Sequence, residues 1–322
     1  MIAGEQSCPN RPAASRSKRL AVLFSPRDLL SPSSFSSLDH LAKVASTKGV
    51  ETVLIGEHAL DQLAGFDALF IRMTTSVGGI AYQFALRART LGIPVIDDPV
   101  SIVRGSNKVL QHRLLASHRV SLPRTAIVNS VPAIRNVVAT LGLPLVLKIP
   151  DGSFCRGVEK AETVSRCEEI TARLLSSRNS ILAQEYLPTS FDWRIGTLAG
   201  RPLFSCKYHM VPGHWQIVAR GQKGSLINGL VEPVALERVP GEVIDAALHA
   251  ARCIGDGFYG VDIKETAAGP VVIEVNDNPD IDCDAETGGN PEAWDRLAEW
   301  FASAMPGATR VARADTRLES AT

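Results

Sequence analysis

The sequence of 322 residues lacks a net charge, a long apolar run and paired cysteines. Lys and Arg together number 34, as do Asp and Glu, so the basic excess of a dedicated nucleic-acid binder is missing. No stretch approaches the ~18 consecutive apolar residues of a membrane-spanning helix. The six cysteines are scattered without a C-x-x-C pair, which excludes a zinc knuckle or a thioredoxin motif and suits a reducing compartment. These absences predict a cytoplasmic protein that binds neither nucleic acid nor membrane.

Two common nucleotide-binding fingerprints are also missing. Neither G-x-G-x-x-G nor G-x-x-x-x-G-K-[ST] occurs, so the phosphate-binding loops that these motifs form are excluded. The segment Met1–Arg19 is polar and has no apolar core, which is unlike a secretory signal. We expect residues 1–18 and 307–322 to be disordered tails.

Residues 19–100 alternate short apolar runs with segments of helical spacing. The runs Leu20–Phe24 and Ala68–Ile71 predict buried strands, and Ile80–Leu91 predicts a helix. Strands that are apolar throughout and alternate with helices are typical of a small parallel sheet covered on both faces. The Ser- and Pro-rich stretch Ser25–Ser37 is expected to be a loop. The sequence therefore predicts an N-terminal α/β domain.

The sequence pattern changes near Asp97, where longer strands, hairpins and helices indicate α+β structure. One helix is predicted over Glu242–Ile254, ending at Gly255. Another is predicted over Lys108–Ala116.

The segment Gly260–Asn276 predicts a β-hairpin, because two alternating strands flank a short loop with glycine at its end. Taking Ala267–Gly269 as a three-residue loop pairs Thr266 with Pro270 and Lys264 with Val272. Asp262 then faces Glu274 directly, and Asn276 lies on the same face. The opposite, core-facing side is expected to hold Val261, Ile263, Ile273 and Val275.

Two carboxylates that face each other across a hairpin destabilise it, because their Cβ atoms are only about 5 Å apart. A hard divalent cation would compensate, and two carboxylates with an amide oxygen are suitable ligands for Mg²⁺. The alternatives are a solvated polar face or neutralisation by Lys264. On this basis we expect removal of Asp262 or Glu274 to leave the stability of the metal-free protein unchanged or slightly higher.

Two lysines precede loops or helices in positions that suit phosphate binding. Lys148 lies inside the apolar run Leu145–Pro150, and a buried lysine is costly unless an anion meets it. The glycines of the following loop, Gly152–Gly157, would let backbone N–H groups approach a phosphate. Lys108 begins a helix, where the helix N-terminus attracts anions. Taken alone, these two patterns favour a simple turn and a surface lysine over a phosphate site.

Polar and cationic residues follow in the next hairpin region. Asp192 and Arg194 share a strand face, and positive charge is added by Lys207, Arg220 and Lys223. We assign no site role to His209, His214, Trp193 or Trp215.

The ordered combination of these motifs resembles the RimK-like branch of the ATP-grasp enzymes, amino-acid or peptide ligases related to glutathione synthases. The phrases that carry the resemblance are LVLKIPDGSFCRGVEKAET, LAQEYLPTSFDWRIGTLAGRPLF, CKYHMVPGHWQIV and GDGFYGVDIKE followed by VVIEVNDNP. The resemblance covers roughly residues 97 to 304. It implies α/β plus α+β structure: a small parallel α/β pre-grasp domain (19–100), then a two-lobed ATP-grasp fold (101–306, with lobes of about 101–187 and 188–306).

The resemblance also implies residue roles. Phosphates of ATP would be contacted by Lys108 and Lys148 and covered by a lid that contains Gly152, Ser153 and Gly157. The hinge Gln184, Glu185, Tyr186 and Leu187 would hold adenine, and Asp192 would lie near the ribose. Two Mg²⁺ ions, with Mn²⁺ as a substitute, would be held by Asp262, Glu274 and Asn276. Further phosphate or acyl-phosphate contacts are expected from Lys207, Lys223 and Arg220.

The implied reaction is ATP-dependent carboxylate–amine ligation through an acyl phosphate. The implied substrates are small molecules or peptides. Whether the chain forms a homo-oligomer is left open. One departure concerns the substrate loop, because RimK-type ligases carry Arg-Ser-Asn where this chain has Lys223-Gly224-Ser225. Glutamate specificity is therefore not implied. The alternative is a regulatory ATP-binding module of the same fold that has lost turnover.

Overall fold

A computed structural model describes residues 17–25, 32–152, 156–220 and 225–305. The helices in these ranges are α1 (Pro32–Thr47), α2 (Ile80–Leu91), α3 (Pro99–Gly105), α4 (Lys108–Ser117), α5 (Ala133–Leu141), α6 (Val164–Leu175), α7 (Gly241–Ile254) and α8 (Ala293–Ala304), with short 3-10 helices at Leu60–Gly65 and Leu236–Arg238. The strands are β1 (Lys18–Phe24), β2 (Val50–Ile55), β3 (Ala68–Arg72), β4 (Val95–Ile96), β5 (Thr125–Val128), β6 (Leu145–Lys148), β7 (Val158–Ala161), β8 (Ile181–Glu185), β9 (Phe191–Leu198), β10 (Arg201–His209), β11 (Val218–Arg220), β12 (Leu226–Asn228), β13 (Val231–Val234), β14 (Phe258–Thr266) and β15 (Gly269–Asp277).

The N-terminal part is a parallel four-stranded sheet of order β2-β1-β3-β4, as its continuously apolar strands predict. Helix α2 has the predicted bounds and ends at Gly92, whose φ of 66° suits a glycine. Helix α1 begins at Pro32, so the expected loop over Ser25–Ser37 is wrong from Pro32 onward; proline is compatible with a first helical turn. The predicted tails lie outside the described residues, except that Lys18 already belongs to β1.

Three antiparallel sheets follow in the described residues, the smallest of which is the pair β11-β12. The first has the order β5-β8-β6-β7 and packs against α5 and α6 around one hydrophobic core. The second has the order β13-β10-β9-β14-β15, and α7 packs against one of its faces. The α/β plus α+β fold class is therefore confirmed.

The N-terminal sheet and the second antiparallel sheet share a core. Phe70 of β3 lies 6.3 Å from Phe258 of β14 and 5.3 Å from Phe301 of α8, measured between ring centroids. All three side chains are at most 1% exposed. This shared core fixes the carboxyl end of the parallel sheet beside the strands that carry the predicted ligands.

The hairpin of β14 and β15 has the predicted pairing of Asp262 with Glu274, but it reaches that pairing differently. Its loop is only two residues long, and Gly269 already pairs with Thr266. A β-bulge then leaves Ile273 without a partner. The predicted pairings between the loop and the bulge are therefore wrong by one residue. Because a bulge turns successive side chains to one face, Val272 enters the core in place of Ile273.

No helix of the described residues is long and apolar enough to cross a membrane.

Candidate active site

The predicted ligands gather on one face of the second antiparallel sheet. Asp262 on β14 pairs in register with Glu274 on β15 and with Arg194 on β9. Asn276 donates from Nδ2 to Asp262 Oδ2 at 2.9 Å, which leaves its carbonyl oxygen for another partner. Three strands thus bring two carboxylates and an amide together on one surface.

Asp262 is neutralised by a buried arginine. Arg194 donates from Nε to Asp262 Oδ1 at 2.6 Å and from Nη2 to Oδ2 at 3.1 Å, and both residues are 8% exposed. Burial raises the pKa of Asp262 to about 6, and Arg194 acts in the opposite direction. The alternative of neutralisation by Lys264 is wrong, because that lysine pairs with Asp192 instead.

Glu274 forms an ion pair with the first residue of α4. Lys108 Nζ lies 2.5 Å from Glu274 Oε2. Burial acts to raise the pKa of Glu274, but Lys108 and Lys148 outweigh it and lower that pKa to about 2. Glu274 is therefore ionised throughout the neutral range, and Lys108 lies directly beside the predicted metal ligands.

Asp192 lies on the same sheet face at the start of β9. Its Oδ1 accepts from Lys264 Nζ at 2.6 Å and from Thr189 Oγ1 at 3.1 Å. Lys264 also donates to Thr189 Oγ1 at 2.7 Å, which closes a three-membered polar cluster. The cluster fixes the Asp192 carboxylate beside β14.

Lys148 is a buried cation at the end of β6. It is 8% exposed, and within the described part of the chain its ammonium has no ion pair or hydrogen bond. Burial lowers the pKa of Lys148 to about 8, although Glu274 favours the charged form. Lys148 lines a small cleft, whose wall also includes Lys108, Gln111, His112, Leu115, Leu122, Leu182, Gln184, Ile273 and Glu274.

The hinge residues are the last two of β8, Gln184 and Glu185, and the two that follow, and Gln184 lines the cleft. Gln184 is 6% exposed and donates to Thr125 Oγ1 at 3.0 Å. The Glu185 carboxylate accepts from the Arg124 side chain and main chain at 2.7 Å. Tyr186 packs edge-on against Trp215 with ring centroids 6.0 Å apart, and the Lys160 ammonium lies 4.9 Å from the Tyr186 ring.

The glycine loop after β6 is tightly packed where it is described. A Cβ at Gly152 would lie 2.3 Å from the Arg156 carbonyl oxygen, and one at Gly157 would lie 2.5 Å from Ile149 Cδ1. Gly157 also has a φ of 68°. Both glycines are therefore required by the backbone path of this loop.

Several predicted site residues do not join this arrangement. Lys207 pairs in register with Trp193, on the sheet face opposite Arg194, and its ammonium lies 4.6 Å from the Phe191 ring centroid and 5.0 Å from that of Trp193. The structure thus separates Lys207 from the carboxylates. Ser153, Lys223 and the side chain of Arg220 lie outside the described residues.

Sequence reasoning missed six residues that line the cleft beside Lys108 and Lys148: Gln111, His112, Leu115, Leu122, Leu182 and Ile273. Gln111 and His112 lie one helical turn after Lys108 on α4, so the i+3 and i+4 spacing could have identified them. Ile273 was expected in the core, and only the bulge brings it to the cleft. No sequence signal marks that bulge.

The N-terminal domain anchors the loop that leaves β15. Arg72 Nη1 donates to Asn278 Oδ1 at 2.6 Å and to the Pro279 carbonyl at 2.9 Å. Asp97 Oδ2 accepts from the Asn278 main-chain N–H at 2.6 Å. These contacts hold the end of the ligand-bearing strand against the parallel sheet.

These residues fit ATP with Mg²⁺. The unpaired ammonium of Lys148 faces a cleft, and a buried cation of this kind is stabilised by an anion such as phosphate. Asp262, Glu274 and Asn276 offer three oxygen ligands, the donor type that Mg²⁺ prefers, and phosphate and water would complete its octahedron. The described ranges contain no cluster of three or more His, Cys, Asp or Glu side chains with the geometry of a metal site.

Comparison with known proteins gives a consistent result. The model of the RimK-like ATP-grasp domain matches residues 105–293, more than half of the chain. A curated protein of Alcanivorax borkumensis named probable alpha-L-glutamate ligase is 30% identical over 226 residues, which cover 68% of this chain and 71% of that protein.

Two solved structures share the fold. D-alanine–D-alanine ligase from Bacillus anthracis, complexed with ATP, superposes with a TM-score of 0.69 at 14% identity, covering 90% of this chain and 97% of that one. The ATP-grasp ligase PsnB, complexed with its minimal precursor, Mg and ADP, gives a TM-score of 0.60 at 18% identity, covering 92% and 99%. The chain belongs to the RimK-like ATP-grasp family and is an ATP-dependent carboxylate–amine ligase.

Proposed function

We propose that this ligase activates a substrate carboxylate with ATP in the cleft of Lys108 and Lys148, and that Asp262, Glu274 and Asn276 hold two Mg²⁺ ions there, with Mn²⁺ as a substitute. When bound, the metal would offset negative charge on the phosphates. The hinge Gln184–Leu187 would hold adenine, and Asp192 would lie near the ribose.

The observation that carries this proposal is the burial of Lys148 without a partner anion among the described residues. Its charge lies between two walls of the cleft, where solvent screens it little. Phosphoryl transfer needs positioning and positive charge more than covalent help from protein, and Lys148 with Lys108 would supply both.

In the proposed reaction a substrate carboxylate oxygen attacks the γ-phosphorus of ATP. The bond from that phosphorus to the β–γ bridging oxygen breaks, and ADP leaves. The amine nitrogen of the second substrate then attacks the acyl carbon, the bond to the phosphate oxygen breaks, and the nitrogen loses a proton. The products are an amide, ADP and phosphate.

L-Glutamate is the amino acid that we propose to test first, because the relative from Alcanivorax borkumensis is named for it. A peptide acceptor is supported by PsnB, whose structure holds a precursor. The Lys223-Gly224-Ser225 departure from the Arg-Ser-Asn of RimK-type ligases argues for a wider panel of acids.

The test is a trapping experiment with the full chain, ATP, Mg²⁺, hydroxylamine and single acids from a panel that begins with L-glutamate. We expect one acid to give hydroxamate and ADP in equal amounts. Lys148→Met should abolish both products, whereas Lys43→Met should not, because Lys43 lies on α1 with its side chain 73% exposed.

The nucleotide product decides the mechanism, since hydroxylamine traps an acyl adenylate as well as an acyl phosphate. AMP as the main product would overturn the acyl-phosphate route. ADP without hydroxamate across the whole panel would instead support an ATPase that has lost ligation.

A further inference from the structure

Strand β15 carries two of the three proposed metal ligands at the edge of its sheet. It is the last strand in the order β13-β10-β9-β14-β15, so one side of its backbone has no neighbouring strand. Edge strands have unpaired N–H and C=O groups that need other partners when they are buried. Val275, which stands between the ligands Glu274 and Asn276, is 1% exposed.

Gln111 of α4 supplies these partners. Its Oε1 accepts from the Val275 N–H at 2.9 Å, and its Nε2 donates to the Val275 carbonyl at 2.7 Å. One side-chain amide therefore satisfies both outward-facing groups of Val275, as a residue of a neighbouring strand would. Gln111 is itself 4% exposed, so water competes little for these bonds.

The other side of β15 is weakened at the same point. The β-bulge at Ile273 interrupts the pairing with β14 directly before Glu274. A bulge locally disrupts the ladder and increases its twist. The direction of the Glu274 side chain is therefore not fixed by regular pairing on that side alone.

Helix α4 contacts both the strand and one ligand. Lys108 pairs with the Glu274 carboxylate, and Gln111, three residues later, binds the peptide groups that follow Glu274. Just beyond the helix, the Ser121 carbonyl accepts from the Val272 N–H at 2.9 Å, on the other side of the bulge. The edge of β15 is thus held at Val272 and at Val275.

We propose that Gln111 is a positioning residue for metal binding: by clamping both backbone groups of Val275, it sets the directions of Glu274 and Asn276. The inference rests on the proposed role of these two residues as Mg²⁺ ligands. Mutation of groups that orient metal ligands by hydrogen bonding typically lowers metal affinity 10–100-fold.

The test uses Gln111→Met, which keeps the length of the side chain and removes both hydrogen bonds. Mn²⁺ binding to the full chain is counted by electron paramagnetic resonance in the presence of the ATP analogue AMPPNP. We expect Gln111→Met to weaken Mn²⁺ binding about 10–100-fold. AMPPNP is kept at a saturating concentration, set by titration of each variant, so that a change in nucleotide affinity does not enter the comparison.

Two control variants separate positioning from a general loss of stability. Ile134→Ala removes a fully buried side chain of α5, far from β15, and should lower the melting temperature without changing Mn²⁺ affinity. Gln83→Met makes the same substitution at an exposed glutamine of α2 and should change neither quantity. Wild-type Mn²⁺ affinity in a folded Gln111→Met would overturn the inference while leaving the proposed metal ligands in place.

Amide hydrogen exchange of the wild type adds a readout that needs neither metal nor a variant. The Val275 amide should exchange as slowly as amides inside the sheet, although β15 is an edge strand. Fast exchange at Val275 would overturn the clamp. Failure of the wild type to bind Mn²⁺ at all would overturn the proposed metal ligands, and this inference with them.

Discussion

Arg194 binds both carboxylate oxygens of Asp262 across neighbouring strands, and each of the two residues is only 8% exposed. The like-charge contact between Asp262 and Glu274 is therefore compensated by protein cations, Arg194 on one side and Lys108 on the other. Metal binding would add to this arrangement rather than create it. This reverses the expectation that removing a carboxylate would leave stability unchanged or slightly higher.

Asp262→Ala should lower the free energy of unfolding by roughly 3–5 kcal/mol, because it leaves the Arg194 guanidinium buried without a counterion. Urea denaturation without nucleotide or metal measures the change, with exposed Asp245→Ala on α7 as the control. The double variant Asp262→Leu/Arg194→Met should recover much of the loss, since an apolar pair can replace a buried ion pair. Wild-type stability of Asp262→Ala would contradict the importance of this pair.

Gly260→Ala should disturb the ion pair of Arg194 and Asp262 by displacing the arginine side chain. A Cβ at Gly260 would lie 2.9 Å from Arg194 Cδ and 2.7 Å from Pro279 Cβ, so the arginine has to move. Overpacking of this kind costs about 1–3 kcal/mol, measurable by urea denaturation. Gly241→Ala, where no atom lies within 4 Å of the added methyl, should be near neutral. Equal stability of the two variants would show that Arg194 tolerates displacement.

The hairpin shows how far sequence alone could go. Alternation and the single glycine located both strands, and Asp262 was paired correctly with Glu274. That pairing was right because two errors cancelled: the loop is one residue shorter than expected, and the bulge adds one residue back. Nothing local marks the bulge, since it is stabilised by packing of Val272 and by contacts from α4 that lie far away in sequence.

The partners of charged residues were equally hard to foresee. Lys148 was expected to be buried because its strand is apolar, and it is. Lys264 was considered as the neutralising cation because it is near Asp262 in sequence, yet Arg194 takes that role from a strand 68 residues away. Strand order decides such pairs, and sequence alone did not give that order.

The stability of the protein should rise with pH as Lys148 loses its charge. Its pKa is lowered to about 8 in the folded protein, against 10.5 as the ordinary value. Below pH 8 the folded state carries the full cost of the buried charge; between about pH 8 and 10.5 the unfolded chain binds more protons, so this cost is relieved. Relative to Lys148→Met, the wild type should gain on the order of 3 kcal/mol over that range. A constant difference in urea denaturation from pH 7 to 10.5 would contradict the burial of the charge.

Trp215 should report nucleotide binding through its contact with the proposed adenine hinge. Its ring packs edge-on against Tyr186, and Lys160 lies 6.0 Å from its centroid. An ATP analogue that orders the hinge should therefore change the fluorescence of Trp215. Trp215→Phe should remove the change, and Trp300→Phe on α8 should preserve it. A signal that survives in Trp215→Phe would place the reporter elsewhere.

Lys148→Met should weaken binding of an ATP analogue more than Lys108→Met does, and Lys207→Met should have the smallest effect. Lys148 is the most deeply buried of the three, and its charge acts in the least screened setting. Lys108 already shares its charge with Glu274, while Lys207 lies against aromatic rings on the opposite sheet face. Titration of a fluorescent ATP analogue against the three variants gives the order. Unchanged affinity in Lys148→Met would remove Lys148 from the phosphate site, and a large loss in Lys207→Met would require Lys207 to reach the nucleotide from the far face.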